Sequence, residues 1–239
     1  MSGAPPPPTP RRELLEGCRD ELPLLLGVVP FGMIYGVLAL GAGLDRPTAQ
    51  AMSSVVFAGS AQLVATQLVR EGTPALVLVL TLFVVNLRHA LYSASVAPYV
   101  RHLPLRWKLA LAYLLTDEAY AVAGSRYARD GASAGPVSPH RHWYFLGAGF
   151  TLWLSWQLST AAGVFLGAAI PATWSLDFTL ALTFIALVFP TLKDRAAGAA
   201  ALAAAAVAVL AVGLPFKLGL IVAAFGGIAA GLLVEGRRT

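Results

Sequence analysis

The sequence predicts an all-α fold, a polytopic integral membrane bundle of about seven or eight apolar segments. Of the 239 residues, 57% are hydrophobic and only 12% are charged, about half the charged share of a soluble domain. Runs of about 17 to 25 apolar residues recur along nearly the whole chain and are long enough to cross a membrane as helices. A β-barrel is disfavoured because its strands would alternate apolar and polar residues over short segments.

The apolar segments follow one another with short connections. Pro23 and Pro30 interrupt the first segment and Pro190 the sixth, so we expect kinked or broken helices there. The seventh is short and alanine-rich, which is typical of a tilted, re-entrant or protein-packed segment. In order, the predicted segments are 22–43, 48–69, 74–97, 104–127, 142–170, 176–192, 196–212 and 215–234.

Two regions of different character are predicted. Residues 1–18 are proline-rich at their start and are expected to form a flexible N-terminal tail. Residues 19–239 are expected to form a single transmembrane domain, whose first helix also serves as the insertion signal.

The distribution of Lys and Arg favours a cytoplasmic N-terminus when all eight segments are counted as spans. The basic connection from Arg101 to Lys108 then falls on the outer side. A non-spanning segment earlier in the chain is therefore an alternative.

A possible two-half internal repeat is visible. Gly32 and Gly36 have counterparts in Gly163 and Gly167, and at a similar offset Arg88 falls on Lys217. Duplicated halves are common in secondary transporters. Chance similarity between glycine-rich helices is the alternative explanation.

Composition also limits the possible ligands. The formal net charge of +5 does not indicate nucleic acid, because the cations lie mainly in connections, where they act as topology signals. Cys18 is the single cysteine, so an internal disulfide or a cysteine metal cluster is not possible. We predict no cofactor, no metal site and no nucleic-acid partner.

The third segment carries polar side chains near its middle, in the stretch FVVNLRHALY. Arg88 at the centre of a membrane helix costs about 2.5–3.5 kcal/mol, so Asn86 and Arg88 are expected to face protein or water. Arg88 suits a carboxylate and Asn86 offers both a donor and an acceptor, which makes both candidate substrate-binding residues. Snorkelling or structural pairing of Arg88 is the alternative. His89 is a weaker candidate for proton coupling, since a packed neutral histidine is more common.

Two adjacent acids follow in LLTDEAYA. Asp117 and Glu118 point about 100° apart on a helix, so one could pair with Arg88 and the other could take protons. Thr116 followed by two acids is also typical of a helix start. A helix that starts inside the membrane is itself a transporter device.

A third polar stretch is SSVVFAGSAQ, where Gly59, Ser60 and Gln62 could open the backbone to a substrate. Close helix packing through small residues is the rival interpretation. Tyr35 is a secondary substrate-binding candidate. Asp177 is a secondary candidate for proton coupling or ion pairing, although a role at a helix end is slightly favoured.

The motifs PFGMIYG, FAGSAQ, NLRHALY and LLTDEAYA occur in an order that resembles the AzlC-type branched-chain amino acid exporter permeases. The resemblance runs from about Leu22 to Leu233 and includes LDFTLALTFIALVFP. It implies export of branched-chain or similar neutral amino acids from a prokaryotic cell, together with a small AzlD-type membrane subunit. Asn86, Arg88, Asp117 and Glu118 match the family motifs.

We therefore expect a secondary exporter in the plasma membrane, coupled to protons or another ion and not an enzyme. An ATP-driven mechanism is not supported because the chain has no GxxxxGK[ST] motif. A passive channel or scaffold subunit is the alternative. An intramembrane hydrolase using Ser60 with His89 is much less favoured, since no oxyanion-forming motif accompanies them.

Overall fold

A computed structural model describes residues 9–132, 138–166, 192, 194–215 and 218–236 of the chain. Within these ranges the protein is helical and contains no strand, which confirms the all-α prediction. A 3₁₀ turn, Leu22–Leu24, joins the first two helices. The helices are α1 Pro10–Glu21, α2 Leu25–Gly41, α3 Arg46–Val56, α4 Gly59–Arg70, α5 Ala75–Asn86, α6 Arg88–Val100, α7 Leu105–Tyr113, α8 Asp117–Ala132, α9 Arg141–Leu166, α10 Arg195–Leu210 and α11 Leu218–Glu235.

Helix α1 begins inside the region expected to be a flexible tail, since residues 10–18 are helical. Thr9 caps the helix by accepting a hydrogen bond from Arg12 N at 3.3 Å, and Pro10 suits the first helical turn. Gly17 then lets α1 approach α9 closely, because a Cβ at this position would collide with the backbone of Tyr144. Gly147 of α9 makes the matching approach to the backbone of Leu14, so close backbone packing against α9 holds this helical segment in place.

Helix α9 forms the axis of the bundle and defines its two ends. We call the end where α9 begins, at Arg141, the proximal end, and the end where it finishes, at Leu166, the distal end. Helix α2 packs along α9 through glycines. A Cβ on Gly36 would meet the backbone of Thr160 and Gly163, and one on Gly163 would meet the backbone of Met33.

These contacts give the repeat glycines a packing role. Gly36 and Gly163 touch each other's helices, as expected for small residues at a close helix crossing. Gly167 and Lys217, the other members of the proposed repeat, lie outside the described residues.

The predicted second span, 48–69, is instead a pair of half-helices. Helix α3 begins at the distal end, where the Arg46 guanidinium lies 5.7 Å from the Phe165 ring. It breaks at Phe57, whose φ of 39° is left-handed. Helix α4 then returns to the distal end, where Arg70 lines a crevice with Leu38 of α2. With 11 and 12 residues, each arm is only about 17 Å long.

The predicted fourth span, 104–127, is a second pair that enters from the opposite end. Helix α7 starts at the proximal end, with the Trp107 ring 4.8 Å from that of Trp143. It ends at Tyr113, deeper in the bundle, where the Tyr113 hydroxyl accepts a hydrogen bond from Trp153 Nε1 at 2.7 Å. Helix α8 then runs back, and its Tyr127 hydroxyl donates to the Arg141 carbonyl at 3.2 Å.

The protein is therefore built from spans and two re-entrant hairpins, which we call the distal hairpin (α3–α4) and the proximal hairpin (α7–α8). Within the part of the chain that the structure describes, three helical stretches are long and apolar enough to cross a membrane, namely Pro10–Gly41, Ala75–Val100 and Leu218–Glu235. Seven or eight apolar segments exist in the sequence, but the two hairpins are not spans. The predicted segment 176–192 lies almost wholly outside the described residues.

The hairpins remove the conflict in the charge distribution. Since the distal hairpin does not cross, the basic connection at Arg101 to Lys108 returns to the same end as the N-terminus. Up to the end of α9, the distal end carries two cations, Arg46 and Arg70. The proximal end carries nine, Arg11, Arg12, Arg19, Arg101, Arg106, Lys108, Arg126, Arg129 and Arg141. From the positive-inside rule we expect the proximal end to be cytoplasmic.

Cysteine labelling in intact cells tests this topology. In a Cys18→Ser background, Pro47→Cys and Arg70→Cys should both react with a membrane-impermeant maleimide, since both flank the distal hairpin on the outer side. Arg106→Cys and Gly131→Cys should react only after permeabilisation. Opposite labelling of the Pro47 and Arg70 positions would mean that α3 and α4 cross the membrane as one span.

Candidate functional site

Three interruptions of the helices meet at one central cavity of about 610 Å³. They are the tip of the distal hairpin at Phe57–Ala58, the single-residue break at Leu87 between α5 and α6, and the tip of the proximal hairpin at 114–116. The cavity has the size of a small-molecule site. Its lining residues are Leu24, Val28, Phe31, Phe57, Ala58, Gly59, Ser60, Arg88, His89, Tyr92, Thr116, Asp117, Glu118, Tyr120, Ala121, Leu152 and Trp156.

Arg88 links the two hairpins across this cavity. Its Nη1 atom donates to Asp117 Oδ2 and its Nη2 atom donates to Ser60 Oγ, each at 2.5 Å. Ser60 lies in the first turn of α4 and Asp117 in the first turn of α8. The Arg88 and Asp117 side chains are 28% and 39% exposed, so the ion pair faces the cavity and is not sealed in a dry core.

A second set of contacts joins the hairpin tips directly. The Tyr113 hydroxyl, at the end of α7, donates to the Ser54 carbonyl of α3 at 2.6 Å. The Tyr113 and Phe57 rings lie 5.8 Å apart. Trp153 of α9 donates to the same Tyr113 hydroxyl. The two tips are thus held together beside the cavity.

The negative side of the cavity is the start of α8. Thr116 Oγ1 accepts a hydrogen bond from Ala119 N at 3.4 Å, so the helix start predicted from Thr116, Asp117 and Glu118 is confirmed. The N-terminal end of the helix dipole stabilises both carboxylates. The second carboxyl oxygen of Asp117, Oδ1, is buried, and the carboxylate also interacts with Tyr92 of the cavity wall.

The positive side is formed by Arg88 and the start of α4. Ala58, the N-cap residue of α4, supplies no side-chain hydrogen bond, so the first backbone N–H groups of this helix lack a cap. Gly59 and Ser60 line the cavity at that point. A side chain at Gly59 would collide with Phe31 and Trp156, which explains why the backbone itself reaches the cavity surface.

Aromatic and aliphatic side chains form the remaining walls. The Phe31 and Trp156 rings lie 5.8 Å apart on one side. The Tyr92 and Tyr120 rings stack at 4.5 Å on another. Leu152 adds an aliphatic surface. The cavity therefore combines one cation and two acids with apolar walls.

Six of the predicted site residues come together here, namely Gly59, Ser60, Arg88, His89, Asp117 and Glu118. His89 Nδ1 lies 3.1 Å from the Asn86 carbonyl oxygen, while Ser60 is bonded to Arg88. Among the described residues, Ser60 and His89 thus do not form the hydrogen-bonded dyad that the hydrolase interpretation requires.

Four other predicted residues do not line the cavity. Gln62 is fully buried behind it, and its Oε1 accepts from Trp156 Nε1 at 3.1 Å. Tyr35 is also buried and donates to the Ala49 carbonyl at 2.9 Å. Asn86 is half-buried directly before the Leu87 break, and its Oδ1 has no partner within the described ranges. Asp177 lies outside the described residues.

Sequence reasoning missed several residues of the site. Trp156 lines the cavity but was not predicted as a site residue. Tyr92 and Tyr120 were not identified as wall residues. The spacing of Tyr92 four positions after Arg88, and of Tyr120 three after Asp117, places each tyrosine on the face of its charged neighbour, and this was the available signal.

Glu21 was also overlooked. It is the last residue of α1, is completely buried, and neither carboxyl oxygen has a hydrogen-bond partner among the described residues. Helix α1 starts at the proximal end and α8 finishes there, so the two helices run in opposite directions. They meet where Arg126 Nη1 lies 3.1 Å from Glu16 Oε2. Glu21 therefore approaches the start of α8, where it interacts electrostatically with Glu118.

Comparisons with known proteins place the chain in context. Residues 23–170 match the family model described as AzlC protein. The inner membrane protein YgaZ of Escherichia coli (strain K12) is 28% identical over 205 residues, which cover 82% of this chain and 80% of that protein. The branched-chain amino acid transport protein AzlC of Bacillus subtilis (strain 168) is 27% identical over 168 residues, covering 70% and 63%. No solved structure matches the chain.

A double-mutant cycle tests the Arg88 ion pair. Arg88→Gln and Asp117→Asn should each destabilise the protein, because each leaves a charge without its partner, and the double variant should be less destabilised than their sum. Because both side chains are partly exposed, we expect a coupling free energy of about 1–2 kcal/mol, measured by unfolding in mixed micelles. The surface pair Arg12 and Glu16, at 2.8 Å, is the control and should couple by less than about 0.5 kcal/mol. Equal coupling in the two pairs would contradict a structural role for Arg88.

Proposed function

This chain belongs to the AzlC family, and from that membership we propose that it is a secondary transporter that exports branched-chain or related neutral amino acids. It is a multi-pass protein of the plasma membrane, consistent with its apolar spans and its membrane-protein relatives. The substrate class named for the Bacillus subtilis relative is branched-chain amino acids.

The observation that carries the proposal is the separation of charge in the central cavity. A neutral amino acid has a carboxylate, an ammonium group and an apolar side chain. The carboxylate would bind Arg88 and the uncapped start of α4, where N–H groups and the helix dipole favour an anion. The ammonium group would bind Asp117. The apolar side chain would contact Phe31, Leu152 and Trp156.

Arg88 would exchange partners during this binding. Its guanidinium is already satisfied by Asp117 and Ser60, so a substrate carboxylate has to compete with Asp117. The substrate ammonium group compensates by pairing with the acid that Arg88 releases. A zwitterion thus replaces one internal ion pair by two, whereas a ligand with only one charge would leave a charged side chain unpaired.

The two hairpins offer a simple route for alternating access. The distal hairpin enters from the outer side and the proximal hairpin from the cytoplasmic side, and both tips border the cavity. Displacement of one hairpin would open the cavity to one side only. This agrees with the general use of discontinuous helices in transporters, where half-helix ends form the binding site.

Proton coupling is assigned to Glu118. Asp117 is engaged by Arg88, whereas Glu118 lines the cavity in the same helical turn and lies near the buried Glu21. An acid that faces an internal cavity is a typical proton carrier in membrane transporters. A small AzlD-type membrane subunit is the proposed partner. The long apolar helix Ala75–Val100 leaves most of its surface uncovered by the described residues, which is compatible with such a partner.

Transport assays with Arg88→Gln test the substrate site. In proteoliposomes loaded with labelled valine, leucine or isoleucine, loss of the charged hydrogen bonds should raise KM roughly tenfold or more. Arg88→Lys keeps the charge but not the planar fork, so an intermediate effect is expected. Arg70→Gln, at the outer surface, is the matched control. If Arg88→Gln transports at the wild-type rate, the assignment of Arg88 to the substrate is wrong.

A Glu118→Gln variant tests proton coupling. Counterflow, in which substrate exchanges without net movement of protons, should stay within about twofold of wild type, while accumulation driven by a pH gradient should fall roughly tenfold. Asp45→Asn is the control, because Asn also caps helices and residue 45 lies at the outer surface. Undiminished accumulation by Glu118→Gln would exclude Glu118 as the coupling residue. Downhill flux without accumulation in wild type would favour a passive channel.

A further inference from the structure

A groove separate from the central cavity lies between α6 and α7, near the cytoplasmic end of the bundle. It has a volume of about 320 Å³. Its floor is apolar and well buried, with Val96 at 4%, Leu111 at 2% and Phe145 at 1% exposure. Its rim is exposed and consists of small side chains and two cations. The lining residues, which we call the basic groove, are Ser93, Val96, Ala97, Val100, Arg101, Lys108, Leu111, Ala112, Leu115 and Phe145.

The two cations of the basic groove stand at one end of it. Arg101 follows the last residue of α6, and Lys108 lies in the first turn of α7. Both residues are exposed. Among the described residues, neither side chain has an ion pair or a side-chain hydrogen bond. Two positive charges thus remain uncompensated beside an apolar channel.

The sequence around the basic groove carries positive charges without any nearby acid. The chain contains no Asp or Glu between Glu71 and Asp117, whereas Arg101, Arg106 and Lys108 lie close together in that interval. The orientation derived above places these residues at the cytoplasmic face. Anionic phospholipids are enriched in the cytoplasmic leaflet, and basic pockets between transmembrane helices on that side bind their headgroups.

We propose that the basic groove is a binding site for an anionic phospholipid of the cytoplasmic leaflet. The lipid phosphate binds between Arg101 and Lys108, and one acyl chain lies on the floor formed by Val96, Leu111 and Phe145. From Arg101 to Ser93 the groove extends about 12 Å along α6. It therefore holds the part of the chain nearest the headgroup, and the remainder stays in the bilayer.

The dimensions and charges explain why a lipid fits better than the transported substrate. The groove has two cations and no acid in its lining, so it offers nothing to the ammonium group of an amino acid. Its long apolar floor instead matches a hydrocarbon chain. A bound lipid would contact both α6, which carries Arg88, and α7, the first arm of the proximal hairpin, so it would brace the hairpin from outside.

Native mass spectrometry of the full-length protein in detergent tests the site. Titration with dioleoyl phosphatidylglycerol should reveal one lipid that binds more tightly than dioleoyl phosphatidylcholine does. Since each cation near a membrane surface contributes a factor of roughly five, the Arg101→Gln/Lys108→Gln double variant should bind this phosphatidylglycerol roughly 25-fold more weakly. Arg106→Gln removes one positive charge from the same connection, but Arg106 does not line the groove, so this variant should change the affinity by less than about twofold.

A second variant tests whether the acyl chain contributes to lipid binding in addition to the attraction between the phosphate and the cations. Ala112→Phe fills the groove from its exposed rim and retains every cation, so it should also abolish the tight phosphatidylglycerol. Melting temperatures measured without added lipid identify variants that fail to fold, and a variant that melts more than about 5 °C below wild type is replaced by the milder Ala112→Leu.

Three results would overturn the proposal. The first is equal loss of affinity in Arg106→Gln and in the double variant, which would indicate only a diffuse positive field. The second is equal affinity for phosphatidylglycerol and phosphatidylcholine in wild type. The third is unchanged lipid binding in Ala112→Phe together with loss of a co-expressed small membrane subunit, which would make the groove a protein interface.

Discussion

The position of one guanidinium group governs the rest of this structure. Arg88 lies near the middle of an apolar path of 26 residues, Ala75–Val100, where hydrocarbon offers it no partner. The fold supplies one partner from each hairpin, a hydroxyl from α4 and a carboxylate from α8. Both must be delivered to the same depth from opposite faces of the membrane. Short helices that end in the middle of the bundle meet that requirement.

The half-helices need support because their ends would otherwise leave polar backbone groups in an apolar medium. Helix α9 provides it. Its side chains bond to α3 through Gln157 and Thr160, at 2.9 Å to Gln50 and Ser53. Trp153 and Trp156 hold the two hairpin tips. Glycines on α1, α2 and α9 let three long helices approach closely enough to enclose these polar contacts. A dense polar network around one central helix is what makes the broken segments stable.

Much of the site could be predicted from the sequence. The cost of a buried charge indicates that Arg88 needs an acid, and Asp117 is that acid. Thr116 followed by two acids indicates a helix start, and α8 begins there. These predictions succeed because each depends on local chemistry, namely the desolvation of a charge and the capping of a helix.

The path of the chain could not be predicted in the same way. A hairpin of 11 and 12 residues has nearly the same apolar length as one complete span, so hydropathy does not separate them. The misplaced basic connection was the one indication that a segment fails to cross. Gln62 and Tyr35 were assigned to the cavity because they are polar, but their partners are Trp156 and the Ala49 carbonyl. A buried polar side chain is satisfied by its nearest neighbour, and the sequence does not identify that neighbour. The left-handed backbone at Phe57 has one further consequence. This conformation costs a bulky residue about 1–2 kcal/mol, and the contact between the Phe57 and Tyr113 rings helps to offset that cost. When the two hairpin tips separate, the contact between Phe57 and Tyr113 is lost, and the backbone at Phe57 becomes able to relax. Part of the free energy needed to separate the two hairpin tips is therefore already present as backbone strain at Phe57 before any substrate binds.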